Sequence, residues 1–107
     1  MNTILLRYQL IRGEIKLKCC FFKRGTIVEI NENIQPGLSF ITIATDVNDI
    51  YTATILIASE TTLVMDENYN EITLNDLQVG DLIYVYHSPI MTMSIPPQTQ
   101  VFIIELK

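Results

Sequence analysis

Most side chains of this sequence that suit ligand binding lie between residues 84 and 98. Six of them form our candidate ligand-binding set: Tyr84, Tyr86, His87, Met91, Met93 and Gln98. Tyrosine and histidine carry an apolar ring with a polar tip, and methionine adapts its shape to a partner. This combination favours noncovalent binding over bond cleavage.

His87 is the only histidine, which limits acid–base and metal chemistry. A zinc site would need it together with the adjacent Cys19 and Cys20, whose geometry does not suit a tetrahedral centre. Serine catalysis would have to combine His87 with Ser88 or Ser94 and a distant acid, and no nucleophile, phosphate-loop or dinucleotide motif is present. We predict no catalytic residue, no metal and no cofactor. We expect His87 to be a structural residue, with a polar group at the mouth of a groove as its alternative role.

The acidic residues lie mainly where the chain is expected to turn: Asp46, Asp49, Asp66, Glu67, Asp76 and Asp81. Asp accepts main-chain hydrogen bonds and tolerates unusual dihedral angles, so turn formation accounts for these positions. The run from Asp66 to Glu71 offers oxygen ligands, but it lacks the spacing and the central glycine of a calcium loop. We therefore predict turns here, and neither catalytic nor calcium-binding carboxylates.

Charge divides the chain into two unequal parts. Residues 1–24 hold six Lys or Arg side chains and one acid, Glu14, for a net charge of +5. From residue 25 onward there are eleven acids and one base, Lys107, for a net charge of −10. A basic arm is attracted to an acidic object, and the nearest one is the body of this chain or of a second copy.

Five runs have the composition and alternation of β-strands: GTIVEIN (25–31), LSFITIATD (38–46), IYTATILIAS (50–59), LIYVYHS (82–88) and VFIIELK (101–107). The last two runs are apolar on nearly both faces, which an open sheet leaves uncovered. A closed barrel removes the sheet edges and fills its interior with alternate side chains. We predict an all-β protein, a small OB-like barrel of five or six strands.

Shorter signals connect these strands. Pro36 and Gly37 suit the central positions of a type II turn. Residues 61–72 are typical of a short strand, a turn and a return, and Thr73 with Asp76 predicts the cap of a single helical turn. No helix-length pattern occurs after residue 12.

The first 24 residues are predicted to be a basic N-terminal arm or an extra strand beside a barrel of residues 25–107. The segment fits a hairpin about Arg12 and Gly13, or a short basic helix followed by a strand from Glu14 to Phe22. Its apolar runs are too short for a transmembrane segment or a secretion signal, so we expect a cytoplasmic protein, or an exported one if a native signal is missing. Adjacent cysteines rarely reach relaxed disulfide geometry, so we expect reduced thiols.

A stiff loop precedes the last strand. Pro96 and Pro97 fix two backbone dihedral angles and withhold two N–H donors, so residues 94–98 are held extended. We predict that this strap closes the barrel by delivering the run VFIIELK in register. Met91 and Met93 either plug the barrel end or contact a partner, and we favour the plug.

Two segments of the chain resemble a known group of proteins. The run LNDLQVGDLIYVYH, followed by Ser94, Pro96, Pro97 and Gln98, is similar to that of small bacterial OB-like barrels, the YobA-like domains, over about residues 24–107. The resemblance implies an OB-like barrel of bacterial origin, and it supplies no catalytic residue to carry over. Such domains are often exported or lipid-anchored, whereas this sequence has no lipoprotein cysteine near a signal segment.

These observations predict a noncatalytic interaction module that self-associates, as a homodimer held through the basic N-terminal arm. The alternative is an OB-type binder of an oligosaccharide or a peptide that uses the candidate set. Nucleic acid is a less favoured ligand because phosphate binding needs a basic surface, and the body from residue 25 is acidic.

Overall fold

A computed structural model describes residues 20–107, apart from the side chains at positions 33 and 34. It contains seven strands: β1 (Phe21–Gln35), β2 (Leu38–Ala44), β3 (Ala53–Ala58), β4 (Leu63–Met65), β5 (Glu71–Ile72), β6 (Leu82–His87) and β7 (Gln98–Leu106). Two single 3-10 turns lie at Ile50–Thr52 and Leu74–Asp76. No helix formed by the described residues is long and apolar enough to cross a membrane. The all-β prediction is confirmed.

Five of the strands close into a barrel in the order β1, β2, β3, β7 and β6, with β6 returning to β1. Every neighbouring pair around the ring is antiparallel except β3 and β7, which run parallel. Strands β4 and β5 extend the sheet outward from β7. The molecule is therefore a small closed five-stranded barrel with two extra strands, as an OB-like fold requires.

The barrel interior is filled by the alternate apolar side chains that the sequence pattern provides. Positions 41 and 43 of β2, 83 and 85 of β6 and 104 of β7 are at most 1% exposed. Their neighbours along each strand face outward, as the two-residue period of a strand dictates. A closed core of Ile, Leu and Val results: Ile27, Ile41, Ile43, Leu56, Ala58, Val64, Leu77, Ile83, Val85, Val101 and Ile104.

β1 is longer than the predicted strand at residues 25–31. Its first half, from Phe21 to Thr26, pairs with β6, and its second half pairs with β2. The last four residues of the predicted arm thus belong to the barrel, and residues 1–19 lie outside the described part of the chain. At the crossover, a Cβ on Gly25 would lie 3.1 Å from the carbonyl oxygen of Ala44. Glycine lets β1 pass this close to β2.

The predicted turns occur where the sequence placed them. Gly37 has φ +80° in the β1–β2 turn, the value that position requires. Asp66 accepts the main-chain N–H groups of Asn68 (2.8 Å) and Asn70 (2.9 Å) between β4 and β5. These bonds, the one from Asn70 first among them, lower the pKa of Asp66. The acids at these sites therefore form turns, as expected.

A second apolar cluster lies on the outer side of the barrel. Leu63, Met65 and Ile103 are at most 5% exposed there, and Tyr86, Phe102 and Cys20 pack against them. Cys20 is disulfide-bonded, so the expectation of a reduced thiol at this position is wrong. β1 therefore begins beside a buried outer surface.

Candidate functional site

The structure divides the six predicted binding residues among three places. Tyr84 and Tyr86 face outward from β6, and the residue that follows them, His87, is buried. Gln98 begins β7 beside Ile55 of β3. Met91 is half-buried and Met93 fully exposed in the loop between β6 and β7. The six residues therefore do not form one site.

The two tyrosines lie on an outward aromatic surface that also includes Phe22 of β1. The ring centroid of Phe22 is 5.5 Å from that of Tyr84 and 5.3 Å from that of Tyr86. Leu82 continues the same side of β6, and Lys107 Nζ lies 5.1 Å from the centroid of Tyr84. We call this surface the ring face, defined by Phe22, Leu82, Tyr84 and Tyr86.

His87 has a structural environment inside the end of the barrel. Its side chain is only 4% exposed, and Phe21 packs edge-on against the imidazole with centroids 6.1 Å apart. The Nδ1–H group donates to the carbonyl oxygen of Ser88 over 2.8 Å. Burial lowers the pKa of His87, the bond to Ser88 opposes the shift, and Lys23 adds to it. The imidazole is therefore neutral at pH 7 and faces away from the ring face.

The serines that serine catalysis would have needed have other partners. Ser88 Oγ accepts the N–H of Ile90 over 3.1 Å. Ser94 Oγ donates to the carbonyl oxygen of Pro96 over 2.9 Å. Among the described residues, no group of three His, Cys, Asp or Glu side chains is placed to hold a metal ion. These contacts order a loop.

The strap closes the barrel as predicted, but it is not extended throughout, because the chain bends over residues 93–96 and the Ile95–Pro96 peptide bond is cis. The main-chain N–H of Ile55 donates to the carbonyl oxygen of Pro97, and the parallel pairing of β3 with β7 starts at the next residue, Gln98. Thr92 and Gln98 exchange two bonds, N–H to carbonyl oxygen at 3.0 Å and N–H to Oγ1 at 2.9 Å. Hydrogen bonds therefore hold the strap both to β3, through Pro97, and to the preceding loop, through Gln98.

The expectation that both methionines plug the barrel is wrong for Met93. Its side chain is 101% exposed, and it lies at the outer side of the loop. Thr99 Oγ1 lies 2.8 Å from the carbonyl oxygen of Ser88 and 2.9 Å from that of Ile90 and shares its single proton between them. Thr99 is itself only 2% exposed, so a polar side chain is buried where the start of this loop meets β7.

A groove of about 450 Å³ lies on the outer surface of β1, β2 and β3. Its floor holds small side chains, since Ala44 of β2 pairs directly with Ala53 of β3. Thr42 and Ile55 form the next cross-strand pair of the floor. Because alanine side chains are small, the groove is deeper at Ala44 and Ala53 than it would be with larger residues at these positions.

Two loops wall this groove. Val47 and Ile50, which are 57% and 59% exposed, rise from the β2–β3 connection on one side. Pro96 of the strap stands on the other. Exposed apolar walls over an apolar floor favour a partner that brings apolar side chains of its own. We call this region the strap groove: Val28, Glu29, Thr42, Ala44, Val47, Asn48, Asp49, Ile50, Ala53, Ile55 and Pro96.

Among the described residues, the lining of the strap groove includes two carboxylates, Glu29 and Asp49, and no base. A β-bulge shifts the register between Ile27 and Glu29, so that Val28 and Glu29 both reach the groove. Asp49 lies at the opposite wall, where its Oδ1 accepts the N–H of Tyr51 over 3.0 Å. The field of the groove is therefore negative, which repels phosphate and attracts Lys or Arg.

A second cavity of about 400 Å³ lies at the other end of β2 and β3. Hydroxyl groups of Ser39, Ser59, Thr62 and Thr73 contribute to its lining. Thr62 Oγ1, for example, accepts the N–H of Ser59 over 2.9 Å and donates to the carbonyl oxygen of Val101 in β7 over 2.9 Å. This cavity is more polar than the strap groove and lies away from the strap.

Three residues of these surfaces were not among the predicted binding residues: Phe22 of the ring face, and Ala44 and Ala53 of the groove floor. Phe22 was predicted to lie in a strand, but the sequence did not indicate which strand it pairs with, so its position opposite Tyr86 was not predicted. Ala44 and Ala53 carry no chemistry of their own, but both lie near the facing ends of two consecutive predicted strands, and the structure pairs them directly. Small residues at paired strand ends were the available signal for the groove.

Comparison of the chain with models of protein families finds no match, and comparison with curated proteins finds none either. The similarity to YobA-like domains therefore stays a prediction.

Proposed function

We propose that this protein is a noncatalytic interaction module that binds an extended, basic and apolar segment of protein chain in the strap groove. The observation that carries the proposal is the combination of an apolar floor with Glu29 and Asp49 at its edges. An extended peptide buries its apolar side chains on such a floor while its Lys or Arg side chains meet the carboxylates.

The chain itself carries a segment of this kind. Residues 1–19 contain Arg7, Arg12, Lys16 and Lys18 against the single acid Glu14, a net charge of 4 − 1 = +3. The remaining residues, 20–107, carry three bases and eleven acids, a net charge of 3 − 11 = −8. Residues 1–19 of a second copy are thus the first candidate occupant, which is the self-association through the N-terminal arm that the charge division predicts.

The groove supports a peptide better than the other ligands of small barrels. Nucleic acid would bring phosphates against Glu29 and Asp49. Base stacking needs aromatic side chains, and the residues from 20 onward that line the groove include none. Its apolar walls favour protein side chains.

A titration with a synthetic peptide of residues 1–19 tests this function on the uniformly ¹⁵N-labelled full chain. We expect the amide resonances of Thr42, Ala44, Ala53 and Ile55 to move together. A control peptide with its four Lys and Arg residues changed to Gln keeps the apolar side chains and should move them far less. Resonance changes confined to other surfaces, or none with either peptide, would refute the proposed groove.

A further inference from the structure

The ring face is a second exposed apolar surface, on the outer side of β1, β6 and β7 and separate from the strap groove. Phe22 is 51% exposed and Leu82 42%, and the rings of Tyr84 and Tyr86 stand between them. Clustered aromatic side chains on a sheet surface are typical of protein–protein contacts.

The charges on this surface are arranged in order across the strands. Arg24 of β1 pairs directly with Tyr84 of β6, and Tyr84 pairs directly with Glu105 of β7. Directly opposed residues of antiparallel strands point to the same side of the sheet. Arg24, Tyr84 and Glu105 therefore form a cross-strand row on this surface, with a basic, an aromatic and an acidic side chain in that order.

We propose that the ring face joins two copies of this chain about a two-fold axis that runs along β6. Such a rotation places the β1 side of each copy over the β7 side of the other. Arg24 of each copy then meets Glu105 of the other, twice, and Tyr84 meets Tyr84. A surface with opposite charges on either side of a central strand is complementary to itself in this orientation, as an isologous contact requires.

The neighbouring rows agree with the same axis. Tyr86 of β6 pairs with Phe22 on one side and with Ile103 on the other, and Ile103 is only 2% exposed because its own chain covers it. Phe22 and Tyr86 are therefore the side chains of this row that meet the second copy. Leu82 lies on the axis and meets Leu82 of the second copy. These two rows add apolar contacts to the charged pairs of the Tyr84 row.

Glu105 already has one partner within its own chain. Lys107 Nζ lies 3.1 Å from Oε1 of Glu105, and this bond raises the pKa of Lys107. The guanidinium of Arg24 from the second copy takes the remaining oxygen, because a carboxylate accepts several hydrogen bonds. The three charges form one network across the contact.

Charge reversal with mixing tests this arrangement in the full chain. Arg24→Glu alone places Glu against Glu105, and Glu105→Arg alone places Arg against Arg24, so each variant should dimerise at least about tenfold more weakly than the wild type. An equimolar mixture of the two restores both opposite-charge contacts in the heterodimer and should regain most of the lost affinity. Sedimentation equilibrium measures each case.

Two further variants keep the test decisive if Glu105→Arg fails to fold. Leu82→Glu changes an exposed residue and puts like charges on the axis, so it should also abolish the dimer. Glu60→Arg reverses an exposed acid away from the ring face and should leave the dimer unchanged. A monomeric wild type, or a dimer that persists in both Arg24→Glu and Leu82→Glu, would overturn the proposal. A monomer whose Tyr84 and Tyr86 resonances move with chito-oligosaccharides would instead assign the face to a glycan.

Discussion

Ile55 donates its main-chain N–H to the carbonyl oxygen of Pro97 over 2.9 Å, and this bond joins the strap to β3. It precedes the parallel pairing of β3 with β7 and therefore completes the barrel. The same bond holds the neighbouring Pro96 at the wall of the strap groove, whose floor includes Ile55. One segment thus closes the fold and shapes the proposed binding surface.

Thr99 is expected to stabilise the loop that carries the strap. Its hydroxyl is buried and shares its single proton between the carbonyl oxygens of Ser88 and Ile90. Thr99→Val keeps the shape but removes the donor, and it should lower the free energy of unfolding by about 1–2 kcal/mol. Thr99→Ser keeps the hydroxyl and is the matched control. Urea unfolding that shows no difference between the two variants would contradict this role.

His87 should make the stability of the protein depend on pH in mild acid. Its pKa is lowered by burial, so the unfolded chain takes up a proton before the folded chain does. The stabilisation is fully present above pH 6.5, the ordinary value, and is lost as the pH falls from there through the pKa of the folded state. His87→Asn does not titrate and should flatten that part of the profile. Equal slopes in urea unfolding of both proteins over this range would contradict the assignment.

Gly25 should resist substitution although its φ is not positive. A Cβ at this position would meet the main-chain carbonyl of Ala44 at 3.1 Å, where β1 crosses from β6 to β2. Gly25→Ala must push the two strands apart and should cost about 1–3 kcal/mol of unfolding free energy. Thermal unfolding of Gly25→Ala beside Thr26→Ala measures the effect. An unchanged melting temperature for Gly25→Ala would show that β1 shifts freely.

Two methionines should differ sharply in their contribution to stability. Met93 is fully exposed, so Met93→Ala should change the free energy of unfolding by no more than about 0.5 kcal/mol. Met65 packs with Leu63 and Ile103, so Met65→Ala should cost about 2–5 kcal/mol. Denaturant unfolding of both variants compares them directly. A large decrease in the free energy of unfolding of Met93→Ala would contradict this expectation and would indicate that Met93 packs into the barrel end.

Much of the fold followed from local patterns. Alternation within the runs at 38–46 and 50–59 predicted the strands β2 and β3, and the acid at position 66 predicted the turn before β5. The two apolar runs near the C-terminal end of the sequence predicted closure, because only a barrel covers both faces. These signals act between neighbouring residues and are readable in the sequence.

The site was harder to predict because it depends on distant pairings. Tyr84 joins Phe22 across sixty-two positions of sequence, and only the β1–β6 register shows it. His87 was included in the candidate set with Tyr84 and Tyr86, although strand alternation in the sequence already places it on the face of Ile83 and Val85, where the structure has it. The strap groove is formed by the bulge at Val28, by Ala44 and Ala53 and by Pro96. None of these features indicates a binding site when it is considered alone.

The affinity of the residue 1–19 peptide for a groove with neutralised edges tests the central claim most directly. Glu29→Gln/Asp49→Asn removes both carboxylates, while the new Gln and Asn side chains keep the bond to Asn31 and the cap on Tyr51 available. Glu60→Gln/Glu67→Gln removes the same charge away from the groove and serves as the control. At low salt we predict binding weaker by about three- to tenfold for the groove variant and nearly unchanged binding for the control. Equal affinities of the two variants in isothermal titration would contradict the account.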